Sequence, residues 1–259
     1  MQDSFLEVKN LTIRFGGLVA VNDVSFGVEK GSVKAVIGPN GAGKTTVFNL
    51  LSGVYRPTSG QIKFKGKNID RLAQHKVARL GLCRTFQNVQ LFKNMSVLEN
   101  AMVGCHNCFK SEFMSSIFRT PLMRREEKAI RDAAMSKLET VGLDKIADMR
   151  ADSLPFGKQK ALEIARALAS NPDLLLLDEP AAGLNSAETI EIGGIIANLK
   201  KQGITILLVE HDMGLVMNIS DEVVVLDYGK KISEGTPREV QNDPEVVAAY
   251  LGQDLEQNR

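Results

Sequence analysis

Gly38-Pro39-Asn40-Gly41-Ala42-Gly43-Lys44-Thr45 decides the fold of this 259-residue chain. The spacing is G-x-x-x-x-G-K-[ST]. The apolar run "SVKAVIG" (32–38) leads into it and the amphipathic "TTVFNLLSG" (45–53) leads out. Strand, glycine-rich turn and helix in that order make a phosphate loop. Its glycines let successive backbone N–H groups turn inward into a concave anion site, and the following helix adds the positive partial charge of its N-terminus. Lys44 is placed to reach the β- and γ-phosphates of a nucleotide. Thr45 offers its hydroxyl to Mg2+, with Thr46 beside it in the same turn.

A triphosphate cradle of this kind calls for a carboxylate that orients the metal. "LLLLDEP" (174–180) supplies it: Asp178 ends an apolar strand, where it orients Mg2+ through water. Glu179 falls one residue further on, toward the γ-phosphate, and is the candidate general base for the attacking water. The runs 174–177 and 204–209, apolar but for Thr205, suit strands buried on both faces of a parallel sheet.

Working outward, "LTIRF" (11–15) and "VSFGV" (24–28) alternate as antiparallel strands, and "GQIKFKGKNI" (60–69) as a second hairpin. In the latter, Ile62 and Phe64 point inward, and Lys63 and Lys65 form a solvated face. From about Asn88 to Arg150 the chain is helical and rich in Met and charge; Ser96-Val97-Leu98-Glu99 is a capping box. "DEVVVLDYGKKISEGTP" is a hairpin turning at 227–230, and "PEVVAAYLG" a short closing helix. The expected architecture is α/β: a core with a parallel central sheet, an N-terminal antiparallel β subdomain and an inserted helical subdomain. Within one domain, residues 1–87 hold the antiparallel β part and the phosphate loop, 88–152 the helical subdomain, 153–225 the rest of the core, and 226–259 the final hairpin and helix.

Composition agrees with one large core: 44% of residues are hydrophobic and 24% charged. A net charge of +1 gives no basic field of the kind nucleic acid selects. No apolar run approaches the roughly 20 residues of a membrane span. The start "MQDSFLEVKN" has no signal-peptide core, so the chain is expected in the cytosol unless a partner holds it at a membrane. Cys105 and Cys108 have C-x-x-C spacing but no second Cys/His pair; with Cys83 they are expected to be reduced, uninvolved thiols.

One stretch, "DSLPFGKQKALEIARAL" (152–168), opens strangely. Ala161, Leu162, Ile164, Ala165 and Leu168 share a helical face, yet Pro155, Phe156 and Gly157 stand where a simple Asp152 or Ser153 cap would serve. The phosphate loop, Gln87 in "RTFQN", "LPFGKQ", "LLLLDEP", "AAGLN" and His211 in "VEHDM", taken in order, resemble the ATP-binding subunits of ABC transporters over essentially the whole chain. The resemblance implies a RecA-like P-loop core, and two such subunits packed head to tail around ATP. Leu154-Pro155-Phe156-Gly157-Lys158 matches the family signature Leu-Ser-Gly-Gly-Gln, whose helix tip offers bare N–H groups to the γ-phosphate held by the other subunit. Pro155 in place of serine forfeits a charge-assisted hydrogen bond of about 1.5–3 kcal/mol. Phe156 and Lys158 also depart from the signature, and Asn185 stands where aspartate is frequent.

The resemblance further implies that Gln87 senses Mg2+ and the attacking water and that His211 contacts the γ-phosphate. It has Phe15 stack on adenine; the alternative is that Phe15 continues the Leu11/Ile13 strand face. "RFGGLVAVNDVSF", "GLCRTFQNVQLFKNMSVLEN", "FRTPLMRREEK" and "NDPEVVAAYLG" resemble the branch serving branched-chain and other hydrophobic amino acid importers. That branch implies a second ATP-binding subunit, identical or homologous, and two membrane permease subunits fed by an external binding protein. It has no nucleic-acid partner and sits peripherally at the cytoplasmic face of the inner membrane. Val89, Leu91, Phe92 and Met95 either dock a permease helix or pack the subdomain. A lipopolysaccharide-export ATPase and a non-transport ABC ATPase are the alternative functions.

Overall fold

The structure is a computed structural model describing residues 4–85, 90–105 and 121–256. Gln87, Asn88, Val89, His106 and Cys108 lie outside them. The chain runs β1 (Leu6–Phe15), β2 (Leu18–Val28), β3 (Val33–Ile37), α1 (Lys44–Leu51), β4 (Ser59–Phe64), β5 (Lys67–Asn68), α2 (Gln74–Arg79) and β6 (Leu82–Arg84). It continues through α3 (Val97–Gly104), α4 (Pro121–Thr140), α5 (Phe156–Leu168), β7 (Leu174–Asp178), α6 (Ser186–Lys201), β8 (Thr205–Val209) and α7 (Met213–Ile219). β9 (Glu222–Asp227), β10 (Lys230–Gly235), α8 (Pro237–Gln241) and α9 (Pro244–Glu256) complete it.

Two sheets form. β2-β1-β4-β5 is antiparallel; β10-β9-β3-β8-β7-β6 is parallel except for its edge strand β10. The final hairpin is thus part of the central sheet, with β9 pairing directly with β3. Its turn falls between Asp227 and Lys230, as the sequence indicates. α9 is longer than "PEVVAAYLG", running on to Glu256.

The mostly apolar, buried strands are explained by two cores. Val36, Leu174, Leu176, Leu207 and Val224 face one that also holds Phe48 of α1 and Leu6, Ile62 and Phe64 of the antiparallel sheet. Ala35, Ile37, Leu175, Leu177, Leu208 and Val223 face the other, with Leu138 of α4, Leu162 of α5 and Ile196 of α6. Alternate residues thus go to opposite hydrophobic layers, leaving no polar face. Lys65 is not simply solvated: its ammonium pairs with Asp173 and donates to the Leu80 carbonyl, tying the two sheets together.

The Ser96 capping box forms as the sequence indicates: the Ser96 hydroxyl accepts from the Glu99 N–H at 3.1 Å, and Glu99 accepts from the Ser96 N–H at 2.7 Å. Just before it, Asn100, fully buried, accepts from the Phe92 N–H and donates to the carbonyls of Phe92 and Ser96. Phe92 and Met95 beside this clamp are exposed, as is Met149, whose carbonyl accepts from the Val97 N–H at 2.9 Å, while Leu91 packs against the core.

Candidate nucleotide site

Because β3, β7 and β8 are parallel neighbours in register, everything that follows them emerges at one edge of the sheet. Gly38 follows Ile37, Asp178 pairs with Val209, and Glu210 and His211 come next. The phosphate loop needs glycine at two backbone contacts. At Gly38 (φ +146°) a Cβ would lie 2.0 Å from the Leu226 carbonyl oxygen, and at Gly43 (φ +99°) 2.7 Å from that of Ala20. The loop wraps its own lysine: Lys44 Nζ donates to the carbonyls of Gly38 at 2.6 Å and Pro39 at 2.8 Å. Burial pushes the Lys44 ammonium below its ordinary value, against the raising pull of Glu179 and Asp178 nearby. A desolvated cation facing a loop of N–H groups is a site that gains from an incoming polyanion.

A cleft of about 480 Å3 opens there, lined by residues 40–46, by Leu18–Ala20 of β2, by Glu179 and by Tyr228-Gly229 of the final hairpin. Phe15 ends β1 directly across the hairpin from Leu18; its ring is 45% exposed and meets Tyr55 edge-on at 5.2 Å. It departs from the buried Leu11/Ile13 face it continues in sequence.

Asp178 is 1% exposed. Its Oδ2 accepts from Arg84 Nη2 at 2.6 Å, while Oδ1 has no hydrogen-bond partner among the described residues. Glu179 adopts φ +49°, a left-handed conformation costly for a non-glycine residue and frequent where function demands it. Its N–H donates to the Val209 carbonyl, and its own carbonyl accepts from buried Lys160 of α5 at 3.2 Å. His211 Nδ1 lies 3.6 Å from Glu179 Oε1. Glu210, fully buried and preceding His211 in the chain, accepts N–H groups from Ala181 at 2.7 Å and from His211 at 3.1 Å. Burial raises its carboxyl above the ordinary value, although those N–H groups pull it back down.

The helix α5 begins with Pro155 as N-cap and no side chain of that residue satisfying the first turn. Leu154 is buried, Phe156 is 44% exposed and lies against Gly183, and Lys158 is exposed. The tip is not wholly bare: the Gly157 N–H donates to Glu188 Oε1 at 3.3 Å. Asn185 spends its side-chain oxygen capping α6, accepting from Ala187 and Glu188 at 3.0 Å each.

The structure thus brings the phosphate loop, Asp178, Glu179 and His211 together; Gln87 is outside the described residues, and the signature residues form a separate tip. Sequence reading passed over Arg84, Glu188, Lys160 and Glu210. For Glu210 there was a signal, an acidic residue ending an apolar strand; for the others, partners 94, 31 and 19 positions away leave no local pattern.

Fold and site together define a P-loop nucleotide-binding cassette. The ABC transporter family model matches residues 21–182, and that of the branched-chain amino acid ATP-binding cassette transporter matches residues 230–256. The chain belongs to the ABC transporter family of ATP-binding proteins, and it is an ATPase of the transport-coupled kind. It is 48% identical over 254 residues to the high-affinity branched-chain amino acid transport ATP-binding protein BraF of Pseudomonas aeruginosa, covering 98% of this chain and 100% of that one. To LivG of Escherichia coli K12, a protein of the same description, it is 45% identical with the same coverage. A solved ATP-binding cassette of an ABC transporter in its ADP conformation superposes with a TM-score of 0.84 at 35% identity, over 96% of this chain and 98% of that one. A nucleotide-free cassette gives 0.83 at 34%, over 95% and 98%. Among the described residues no helix is long and apolar enough to cross a membrane.

Proposed function

We propose that this chain powers uptake of branched-chain or other hydrophobic amino acids by binding and hydrolysing Mg-ATP between itself and a second ATP-binding subunit. The observation that carries this reading is the convergence at one sheet edge of a lysine-wrapped phosphate loop, a buried Asp178 with one oxygen unpartnered among the described residues, and a strained Glu179. The unpartnered oxygen at the end of β7 fits a divalent cation, which would be held by Thr45, Asp178 and Gln87. Bound Mg2+ would neutralise charge across the β- and γ-phosphates.

The chain's own groups do the rest. Lys44 leaves the Gly38 and Pro39 carbonyls for the outer phosphates, and the loop N–H groups, with Gly38 through Thr46, fix the triphosphate. Phe15 covers the adenine. Glu179 takes the proton of the attacking water, and His211, within reach of Glu179, marks where the γ-phosphate sits. The tip of α5, Leu154 to Lys158, closes on the nucleotide of the other subunit, so that hydrolysis removes a contact holding the pair shut.

Leucine and its relatives are favoured as cargo by the names of BraF and LivG and by the 230–256 match, which also favours this reading over lipopolysaccharide export or a non-transport role. On this reading two permease subunits, fed by an external binding protein, hold the chain at the cytoplasmic face of the inner membrane. The exposed trio Phe92, Met95 and Met149 suits a permease helix, whereas Leu91 is committed to the core. The test is leucine uptake in vesicles carrying the permease: Glu179→Gln binds ATP but abolishes uptake, and charged residues at Phe92 and Met95 lose the permease on co-purification. Wild-type uptake by Glu179→Gln, or an unchanged complex, contradicts the respective assignment.

A further inference from the structure

Arg84, ending β6, is the structural neighbour of Asp178 that the phosphate-loop chemistry does not by itself require. Its side chain is 12% exposed against 1% for Asp178, so the pair is almost wholly out of water. Nη2 holds Asp178 Oδ2 at 2.6 Å; Nη1 donates to Asn49 Oδ1 at 2.7 Å and Ser52 Oγ at 3.3 Å; the guanidinium lies 5.7 Å from the Phe48 ring centre. Asn49 and Phe48 belong to α1, the helix that closes the phosphate loop, and Ser52 follows it. One planar fork therefore bolts the carboxylate at the end of β7 to the helix bearing Lys44 and Thr45.

A buried ion pair gains little net stability over apolar residues of the same size, so its value here lies in geometry. A buried carboxylate held through one oxygen at 2.6 Å is restricted in its rotation. Its other oxygen, Oδ1, is left without a hydrogen-bond partner among the described residues. Lys44, close enough to feel the Asp178 charge, bonds to the loop carbonyls.

We propose that Arg84 is a positioning residue for the metal end of the nucleotide site: it pins Asp178 through Oδ2, reserves Oδ1 for Mg2+ and its water, and fixes that oxygen relative to the phosphate loop through Asn49 and Ser52. The inference rests on the Mg-nucleotide reading above. Outer partners that orient a metal-holding group are worth roughly tenfold or more in metal affinity.

The test is ATP binding by calorimetry with EDTA and across a Mg2+ titration, on wild type, Arg84→Gln, Arg84→Lys and Asn49→Ala, each checked for folding by circular dichroism. Arg84→Gln raises the half-saturating Mg2+ concentration about tenfold, while ATP affinity in EDTA stays within about twofold. Arg84→Lys, which keeps the charge but loses the fork, falls between Arg84→Gln and wild type. Asn49→Ala, which leaves the ion pair whole, shifts Mg2+ dependence the same way but less, and serves if Arg84→Gln does not fold. Folded variants with wild-type Mg2+ dependence overturn the proposal. So does equal loss of affinity with and without metal, the mark of a merely structural pair. Wild type that binds ATP no better with Mg2+ than in EDTA brings down the metal-site reading itself, and the proposal with it.

Discussion

Replacing Glu188 by glutamine should tighten the ATP-dependent pairing of subunits. The Glu188 carboxylate serves two helices: Oε2 accepts the Asn185 N–H at 3.1 Å, closing the α6 capping box, and Oε1 accepts the Gly157 N–H at 3.3 Å. The second is a donor that a partner's terminal phosphate would use. The carboxylate is thus a competing acceptor and a like charge beside an arriving anion. Glutamine fills the same place in a capping box, so α6 keeps its start while the charge goes. Two unit charges about 5 Å apart interact by about 3 kcal/mol at an effective dielectric of 20 and about 0.8 kcal/mol in water. Glu188 is half-buried, and screening brings the figure to about 1 kcal/mol for each site. A pair of identical chains has two such sites, about 2 kcal/mol, or roughly 30-fold in the dissociation constant; a pair with a sister subunit has one, roughly fivefold. Sedimentation equilibrium in Mg-ATP, in a Glu179→Gln background that cannot consume the nucleotide, measures it. Unchanged or weaker association refutes the idea that Glu188 competes with the phosphate.

Other consequences follow from the same geometry. Phe15→Ala should weaken ATP binding by about 1–2 kcal/mol, roughly tenfold, if the ring stacks on adenine; unchanged affinity with lowered stability to urea would make it a strand residue packed on Tyr55. Gly38→Ala sets a methyl 2.0 Å from the Leu226 carbonyl at a φ that alanine resists. A loss of about 3 kcal/mol in urea unfolding is expected, and a loss below about 1 kcal/mol would contradict the close approach. The Glu210 carboxyl is raised above 4.5 by burial, so the folded chain binds that proton more readily than the unfolded one. Its contribution to stability is therefore fully present below the unfolded value and is lost as pH rises through the raised one. Glu210→Gln removes that loss, and an unchanged slope of stability as pH rises above about 4.5 would contradict it.

Much of this was legible in the chain because the chemistry is local. The phosphate loop is eight consecutive residues whose glycines, lysine and threonine each answer to backbone or phosphate geometry. The Ser96–Glu99 box and the 227–230 turn are likewise written within four residues. Apolar runs at 174–177 and 204–209 announced strands covered on both sides, and the two cores show why. The misses share one cause, contact between distant segments. Nothing near Arg84 signals Asp178, 94 residues on; nothing at "LPFGK" signals that Glu188 meets its tip. Lys65 looked like an ordinary outward lysine of an alternating strand until the chain brought Asp173 to it. Pairing of β9 with β3 depends on the whole crossover path rather than on either strand.

The central claim is that the tip of α5 on one subunit grips the phosphate held by another. It is tested most directly with ATP carrying a photoreactive group on its terminal phosphate. A Lys44→Ala chain, blind to nucleotide, is mixed with a Glu179→Gln copy or the sister subunit and irradiated. Label should appear on the Lys44→Ala chain, within residues 154–158, and vanish when Gly157 becomes aspartate. Label confined to the nucleotide-binding subunit would contradict the account.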